Sequence, residues 1–156
     1  MTKNKTQVTR QIWFDHENIK IVLEKLRKQL TPFAQNTSFA EWKMDYLHHI
    51  FEFKQQLQKH FTLEEEGGFT NNINPITPED LQIAKRLESE HDQIMELIKF
   101  ITNELNQIKK PSVKKLESIK KWVDNLIQRI ERHENAEDQL LRKAYPDEYG
   151  KIEQLQ

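Results

Sequence analysis

The sequence predicts an all-α protein that folds as an up-down-up-down four-helix bundle, and three observations lead to this class. Lys, Glu, Gln and Leu, which favour helix, dominate the chain. Three glycines and five prolines in 156 residues leave room for few turns, so the helices should be few and long. Apolar residues recur at intervals of three and four in four separate stretches, as in helices that pack into a bundle.

The four helices can be placed in order along the chain. Their approximate bounds are 10–30 for helix A, 39–66 for helix B, 78–109 for helix C and 112–145 for helix D. Thr37 or Ser38 can cap the start of helix B, and Thr77 before Pro78 predicts the start of helix C. Pro146 is expected to end helix D. We therefore divide the chain into a flexible N-terminal tail at 1–9, the bundle at 10–146 and a C-terminal tail at 147–156.

Composition limits the classes of function. The net charge of -1 gives no general attraction to nucleic acid. The absence of cysteine excludes disulfides, iron–sulfur clusters and thiolate ligands, so any metal must be held by histidine and carboxylate. No signal-peptide pattern and no 18-residue apolar run occur. These features predict a cytoplasmic protein that does not enter a membrane, and the absence of a second apolar face on the helices predicts a monomer.

The candidate metal ligands include a histidine and a glutamate at a spacing that occurs twice. His60 and Glu64 lie four residues apart, so on a helix they share one face and can reach one metal site together. His133 and Glu137 repeat this spacing on helix D, also among its apolar positions. Single histidines at 16 and 91 lie near the starts of helices A and C, and alternating helix directions would bring all six side chains to one end of the bundle.

This set of six favours a metal site. A lone histidine on an apolar face is more often a hydrogen-bonded core residue, and we interpret His49 in that way and His48 as solvated. Six converging polar groups without a cation would instead leave buried charges unpaired. Each unpaired charge would cost roughly several kcal/mol of folding free energy. Six ligands exceed one tetrahedral zinc site and fit two metals bridged by Glu64 and Glu137, with about two histidines per metal. Iron, manganese and zinc all suit such ligands.

These motifs resemble the hemerythrin or HHE cation-binding family. The resemblance rests on His16, on His60-Phe-Thr-Leu-Glu64-Glu65, on Leu-Glu-Ser-Glu-His91-Asp and on His133-Glu-Asn-Ala-Glu-Asp, and it spans helices A to D. It implies a hemerythrin-like bundle with two iron ions in a non-haem centre, bridged by oxide or hydroxide. It also implies binding of dioxygen or a related small ligand, or sensing of oxygen or iron.

The chain departs from the family pattern at two positions. Leu87 stands where a histidine usually precedes His91 by four residues, so one iron loses a ligand relative to an oxygen carrier. The fourth-helix motif of the family usually ends in aspartate, which Asp138 would match. We favour Glu137 as the ligand, because a residue five positions after His133 points about 140° away on an ideal helix. Iron binding is therefore better supported than reversible oxygen storage.

Two alternatives stay open. The first is a di-iron enzyme that acts on peroxide, nitric oxide or ferrous iron, and it ranks lower because no separate general acid or base is evident. The second is a metal-free helical interaction module, whose support is a group of lysines near the turn between helices C and D.

Around the predicted site, four acidic residues could hydrogen-bond the outer nitrogens of the histidines: Glu88, Glu90, Asp92 and Glu134.

Overall fold

The structure is a computed structural model that describes residues 5–30, 38–67 and 77–154. These residues form five helices and no strand. The helices are α1 (Lys5–Lys28), α2 (Phe39–Gly67), α3 (Pro78–Gln107), α4 (Val113–Ala144) and α5 (Pro146–Glu153). The prediction of an all-α protein is confirmed, and helices A to D correspond to α1 to α4.

The four long helices contact one another in a closed order. Helix α1 packs against α2 and α4, and α3 packs against the same two helices, while α5 packs on α1 and α4. Each long helix therefore has two long neighbours, and the four together surround a shared interior. This arrangement is a helical bundle, as the amphipathic intervals in the sequence predict.

Hydrogen-bonding side chains fix the starts of three helices. The hydroxyl of Ser38 accepts a hydrogen bond from the backbone amide of Glu41 at 3.1 Å at the start of α2. The hydroxyl of Thr77 accepts one from the amide of Asp80 at 3.1 Å, and Pro78 occupies the first turn of α3. Ser112 caps α4 in the same way. These caps satisfy amides that lack a helical partner. The alternative cap Thr37 lies outside the described residues.

The buried apolar residues form two clusters, and a layer of polar side chains lies between them. On α1, Ile12 belongs to the smaller cluster and Ile19 to the larger one, with His16 between them. On α4, Ile130 belongs to the larger cluster and Leu140 to the smaller one. The polar layer is thus closed by apolar packing on both sides, so its side chains are removed from solvent.

The first helix extends into the segment that the sequence assigns to an N-terminal tail. Helix α1 begins at Lys5 and so includes residues 5–9 of the segment 1–9. The reason is that Val8 and Ile12 continue the apolar face of the helix by one turn, and both are buried.

The segment 147–156, which the sequence assigns to a C-terminal tail, also contains a helix. Residues 146–153 form α5, in which Tyr149 is 2% exposed and Ile152 is 1% exposed. Pro146 ends α4 and also occupies the first turn of the next helix, where the lack of an amide hydrogen costs nothing. The bundle is therefore covered at this end by a fifth helix.

Among the described helices, none is both long and apolar enough to cross a membrane.

If α5 is part of the folded unit, removing a buried side chain from it should destabilise the whole protein. Ile152→Ala should lower the free energy of unfolding by about 2 kcal/mol, because it deletes buried methyl groups and leaves a cavity. Urea unfolding followed by circular dichroism measures this change. Gln154→Ala is the control, since Gln154 is exposed. Equal stability of the two variants would mean that α5 does not contribute to the fold.

Candidate metal centre

The structure brings together all six side chains that the sequence singles out. They are buried in the polar layer between the two apolar clusters, each at most 3% exposed: His16, His60, Glu64, His91, His133 and Glu137. Helix α1 supplies one histidine, α3 supplies another, and α2 and α4 each supply a histidine and a glutamate one turn apart. Four helices thus contribute to one buried cluster.

The cluster divides into two overlapping groups that could each hold a metal ion. In one group, ligand atoms of His16, His60, Glu64 and Glu137 all lie within 4.8 Å of one another. In the other, the same holds for His91 and His133 with the same two glutamates. Glu64 and Glu137 are therefore common to both groups, while each histidine pair belongs to one.

The distances describe a small cage. Nε2 of His60 lies 2.7 Å from Oε1 of Glu64, and Nε2 of His133 lies 3.2 Å from Oε2 of Glu137. Nε2 of His16 lies 3.3 Å from Oε1 of Glu137. Nε2 of His91 lies 3.8 Å from one oxygen of each glutamate. The inner nitrogen of every histidine therefore faces a glutamate oxygen in the centre of the bundle.

The outer nitrogen of each histidine is held by a carboxylate from a neighbouring helix. Nδ1 of His60 donates to Asp15 at 2.9 Å, and Nδ1 of His91 donates to Glu65 at 2.9 Å. The two remaining contacts are from His133 to Glu90 at 2.9 Å and from His16 to Asp138 at 3.0 Å. A carboxylate on Nδ1 fixes the orientation of the ring and directs Nε2 inward, as is usual for histidines that bind metals.

These outer contacts test the partners expected from the sequence. The prediction for Glu90 is confirmed by its contact with His133. Asp92 is exposed and Glu88 is half-buried, and in the described part of the chain neither bonds one of the four histidines. Sequence reasoning missed Asp15 and Glu65, although each stands next to a predicted site residue.

The inner face of the cage lacks hydrogen-bond partners. Within the described residues, Nε2 of all four histidines and both oxygens of Glu64 and Glu137 are buried and make no hydrogen bond of good geometry; their polar contacts are with one another, as between His60 and Glu64 at 2.7 Å. A buried polar atom without a partner costs about 1–3 kcal/mol, and more when it is charged. Eight such atoms facing one another fit a site that is completed by a cation.

Without a metal, bound protons supply the positive charge that balances the buried carboxylates of the cage. Burial alone would lower the pKa of His60, but the negative charges of Glu64 and Asp15 outweigh it and raise the pKa to about 10. Burial, together with the charge of Glu64, raises the pKa of Glu137 well above its usual value. For Glu64, the raising effect of burial is overcome by His60, which holds the pKa far below normal. Metal binding would therefore displace protons from the centre.

The two candidate carboxylates on α4 have different surroundings. Glu137 is 0% exposed and belongs to both groups of possible ligands. Asp138 lies outside these groups and contacts Nδ1 of His16, while the hydroxyl of Tyr149 donates to the same Asp138 oxygen at 2.6 Å. The geometry thus favours Glu137 as the inward-facing residue and gives Asp138 the role of orienting His16.

Glu134 is a buried carboxyl group that has no hydrogen-bond partner in the described residues. It is 2% exposed, and both of its oxygens are enclosed. Burial raises its pKa to about 7, and the nearby charge of Asp138 acts in the same direction. The sequence led us to expect a contact between Glu134 and an outer histidine nitrogen, which the structure does not show. The Glu134 carboxyl group instead lies beside the cage and can bind a proton of its own.

The other two histidines lie away from the cage, as expected. His49 is half-buried, and its Nδ1 lies 3.1 Å from the side-chain oxygen of Gln29. His48 is exposed and pairs with Glu52 on the same helix. Both agree with the interpretation that they are not part of a metal site.

The raised pKa of Glu134 predicts a dependence of metal-free stability on pH. A carboxyl group whose pKa is raised on folding adds stability that is fully present below its unfolded value near 4.5 and is lost as pH rises through about 7. In a chelator, wild type should lose about 3 kcal/mol over this range relative to Glu134→Gln, which cannot ionise.

Urea unfolding of both proteins across the pH range measures this difference. Glu131→Gln, an exposed position on the same helix, is the matched control and should follow wild type. Parallel pH profiles for wild type and Glu134→Gln would show that the Glu134 carboxyl group is not perturbed by burial.

Comparison with known proteins identified no relative of this chain. No protein-family model, no curated protein and no solved structure matches the chain. The side chains of the cage are therefore the basis on which a function is proposed.

Proposed function

We propose that the chain is a non-haem di-iron protein that binds dioxygen or a related small ligand, for sensing, storage or delivery. The observation that carries this proposal is the inward-facing cage of four imidazole nitrogens and four carboxylate oxygens, all buried and in polar contact only with one another. So many ionisable side chains, buried together and paired only with one another, are not explained by ordinary core packing.

Two ions fit the cage better than one. Each histidine pair lies at one side of the cage, with ring centroids 5.0 Å apart for His16 and His60 and 4.9 Å apart for His91 and His133. Glu64 and Glu137 are shared by both groups. A glutamate shared in this way can place one oxygen on each of two ions. We therefore propose that both glutamates bridge the metals and that each pair of histidines completes one side.

The donor chemistry supports iron. Imidazole and carboxylate without thiolate suit iron, manganese or zinc, and a pair of carboxylate-bridged ions inside a helical bundle is a known arrangement for iron and manganese. When bound, iron would supply a redox-active centre with open positions for a small ligand. The chain itself holds the imidazoles in place through the four outer carboxylates and excludes bulk water with the apolar clusters.

We further propose that α1 to α4 alternate in direction, as in the hemerythrin-like bundle. The order of layers along each helix supports this topology. On α1 and α3, the chain passes from the small apolar cluster through the cage to the large one, as in Leu87, His91 and Ile94. On α2 and α4 it passes from the large cluster to the small one, as in Ile130, His133 and Leu140.

Leu87 helps to distinguish a sensor from an oxygen carrier. The side chain is 1% exposed and belongs to the small apolar cluster. It precedes His91 by one helical turn and can donate nothing to a metal. Each side of the cage thus has two histidines, and the chain lacks the extra histidine that the family resemblance associates with oxygen carriers. This supports iron or oxygen sensing over reversible oxygen transport.

A second candidate is a di-iron enzyme that acts on peroxide, nitric oxide or ferrous iron. The observation in its favour is Glu134, a buried carboxyl group beside the cage that is free of hydrogen bonds in the described structure. Catalysis of this kind needs a group that can deliver or accept a proton near the reacting ligand. Glu134 is suited to that role by its position, whereas a binding protein has no need for it.

Metal analysis of the protein loaded with ferrous iron tests the proposal. We expect about two irons per chain, in keeping with paired metal sites. His60→Ala and His133→Ala should each lower the iron content, because each removes an imidazole from a different side of the cage. His49→Ala is the control on α2 and should retain wild-type iron. No bound iron in wild type, or equal iron in all three variants, would contradict the proposal.

The visible spectrum of the ferrous protein before and after exposure to air separates the candidate functions. An absorption band that appears with air and disappears on deoxygenation is expected for a carrier. Oxidation without reversal is expected for a sensor or an enzyme. Repeated consumption of peroxide that falls in Glu134→Gln at unchanged iron content would favour the enzyme over the sensor.

A further inference from the structure

A cleft of about 330 Å³ lies between α3 and α4, beside the cage and outside it. Its inner wall includes Leu87 and His133, and three arginines line it: Arg86, Arg129 and Arg132. The volume is in the range of cavities that hold small molecules. His133 and Glu90 in its lining belong to the metal centre, but the proposed metal function makes no use of the three arginines.

The lining has an excess of positive charge. The three arginines face one acidic residue, Glu90, which leaves two net positive charges, whereas the whole chain carries -1. Glu90 is already engaged, because it accepts a hydrogen bond from Nδ1 of His133 at 2.9 Å. Nε of Arg86 lies 4.0 Å from Glu90, at the outer limit of an ion pair. A concave surface of one charge concentrates its field on ions of the opposite sign.

Two of the three cleft arginines, Arg129 and Arg132, lie on α4 and have no acidic partner among the described residues. Arg129 and Arg132 are exposed, and in the described part of the chain neither forms an ion pair. The sequence places no Asp or Glu three or four residues from either of them, so no local helical pair is possible. They lie three residues apart on the same helix face and therefore repel each other. By contrast, the exposed Arg27 lies between Glu24 and Asp124.

We propose that this cleft is a binding site for a small oxyanion that carries at least two negative charges. Guanidinium groups present paired N–H donors that match the oxygens of phosphate and carboxylate groups. An anion held by Arg86, Arg129 and Arg132 would relieve the repulsion on α4, and the cleft has room for it. It would lie on the His133 side of the cage. The site does not require a metal, so its existence is independent of the proposed function.

Isothermal titration of the metal-free chain with sodium phosphate tests the site, with ionic strength held constant by sodium chloride. A parallel titration with malonate distinguishes a tetrahedral oxyanion from a dicarboxylate. We expect saturable binding of at least one of the two. The double variant R129Q/R132Q should weaken that binding by about ten-fold or more, because it removes two charge-assisted contacts.

Arg10→Gln is the matched control, since Arg10 is exposed on α1 and lies outside the cleft. It should keep wild-type affinity. Circular dichroism should be unchanged in all variants and the melting temperature should not fall, because the substituted side chains are exposed. Saturable binding of neither anion to wild type, or wild-type affinity in R129Q/R132Q, would overturn the proposal.

Discussion

The unsatisfied electron-rich atoms at the centre of the bundle are the constraint on which the rest of the structure depends. Nitrogen and oxygen atoms from four helices converge there, buried and, among the described residues, in polar contact only with one another. Such a centre is stable only if positive charge enters it. Protons on His60 and Glu137 meet this need in the metal-free protein. The surrounding structure holds the donors in place, as the closed apolar clusters and the outer carboxylates show.

The outer carboxylates form a ring that follows the order of the helices. Each one holds the histidine of the next helix: α1 to α2, α2 to α3, α3 to α4, and α4 back to α1. On α1 and α3 the carboxylate precedes the site residue, as Asp15 precedes His16. On α2 and α4 it follows, as Glu65 follows Glu64. One step along a helix turns the side chain by about 100°, and reversing the helix direction reverses the sense of that turn. With the alternating helix directions that we propose, this pattern sends every carboxylate the same way around the bundle.

Much of this could be predicted from the sequence, because it depends on local spacing. The intervals of three and four residues define the long helices, and the pairs His60 with Glu64 and His133 with Glu137 define one face of each helix. Asp15 and Glu65 could not be identified in this way. Their role depends on which helix stands next to which, and adjacent residues such as Glu134 look equivalent in the sequence. Helix α5 was missed because Pro146 signals the end of one helix and equally permits the start of another.

Anomalous X-ray scattering from crystals grown with iron tests the central claim most directly, because it locates metal ions without reference to spectra or activity. If the cage holds two ions as we propose, two peaks separated by about 3.5–4 Å are expected. One should lie between His16 and His60 and the other between His91 and His133, with Glu64 and Glu137 reaching both. A cage without a peak, with its glutamates hydrogen-bonded only to histidines or water, would contradict the claim that these six side chains form a two-metal site.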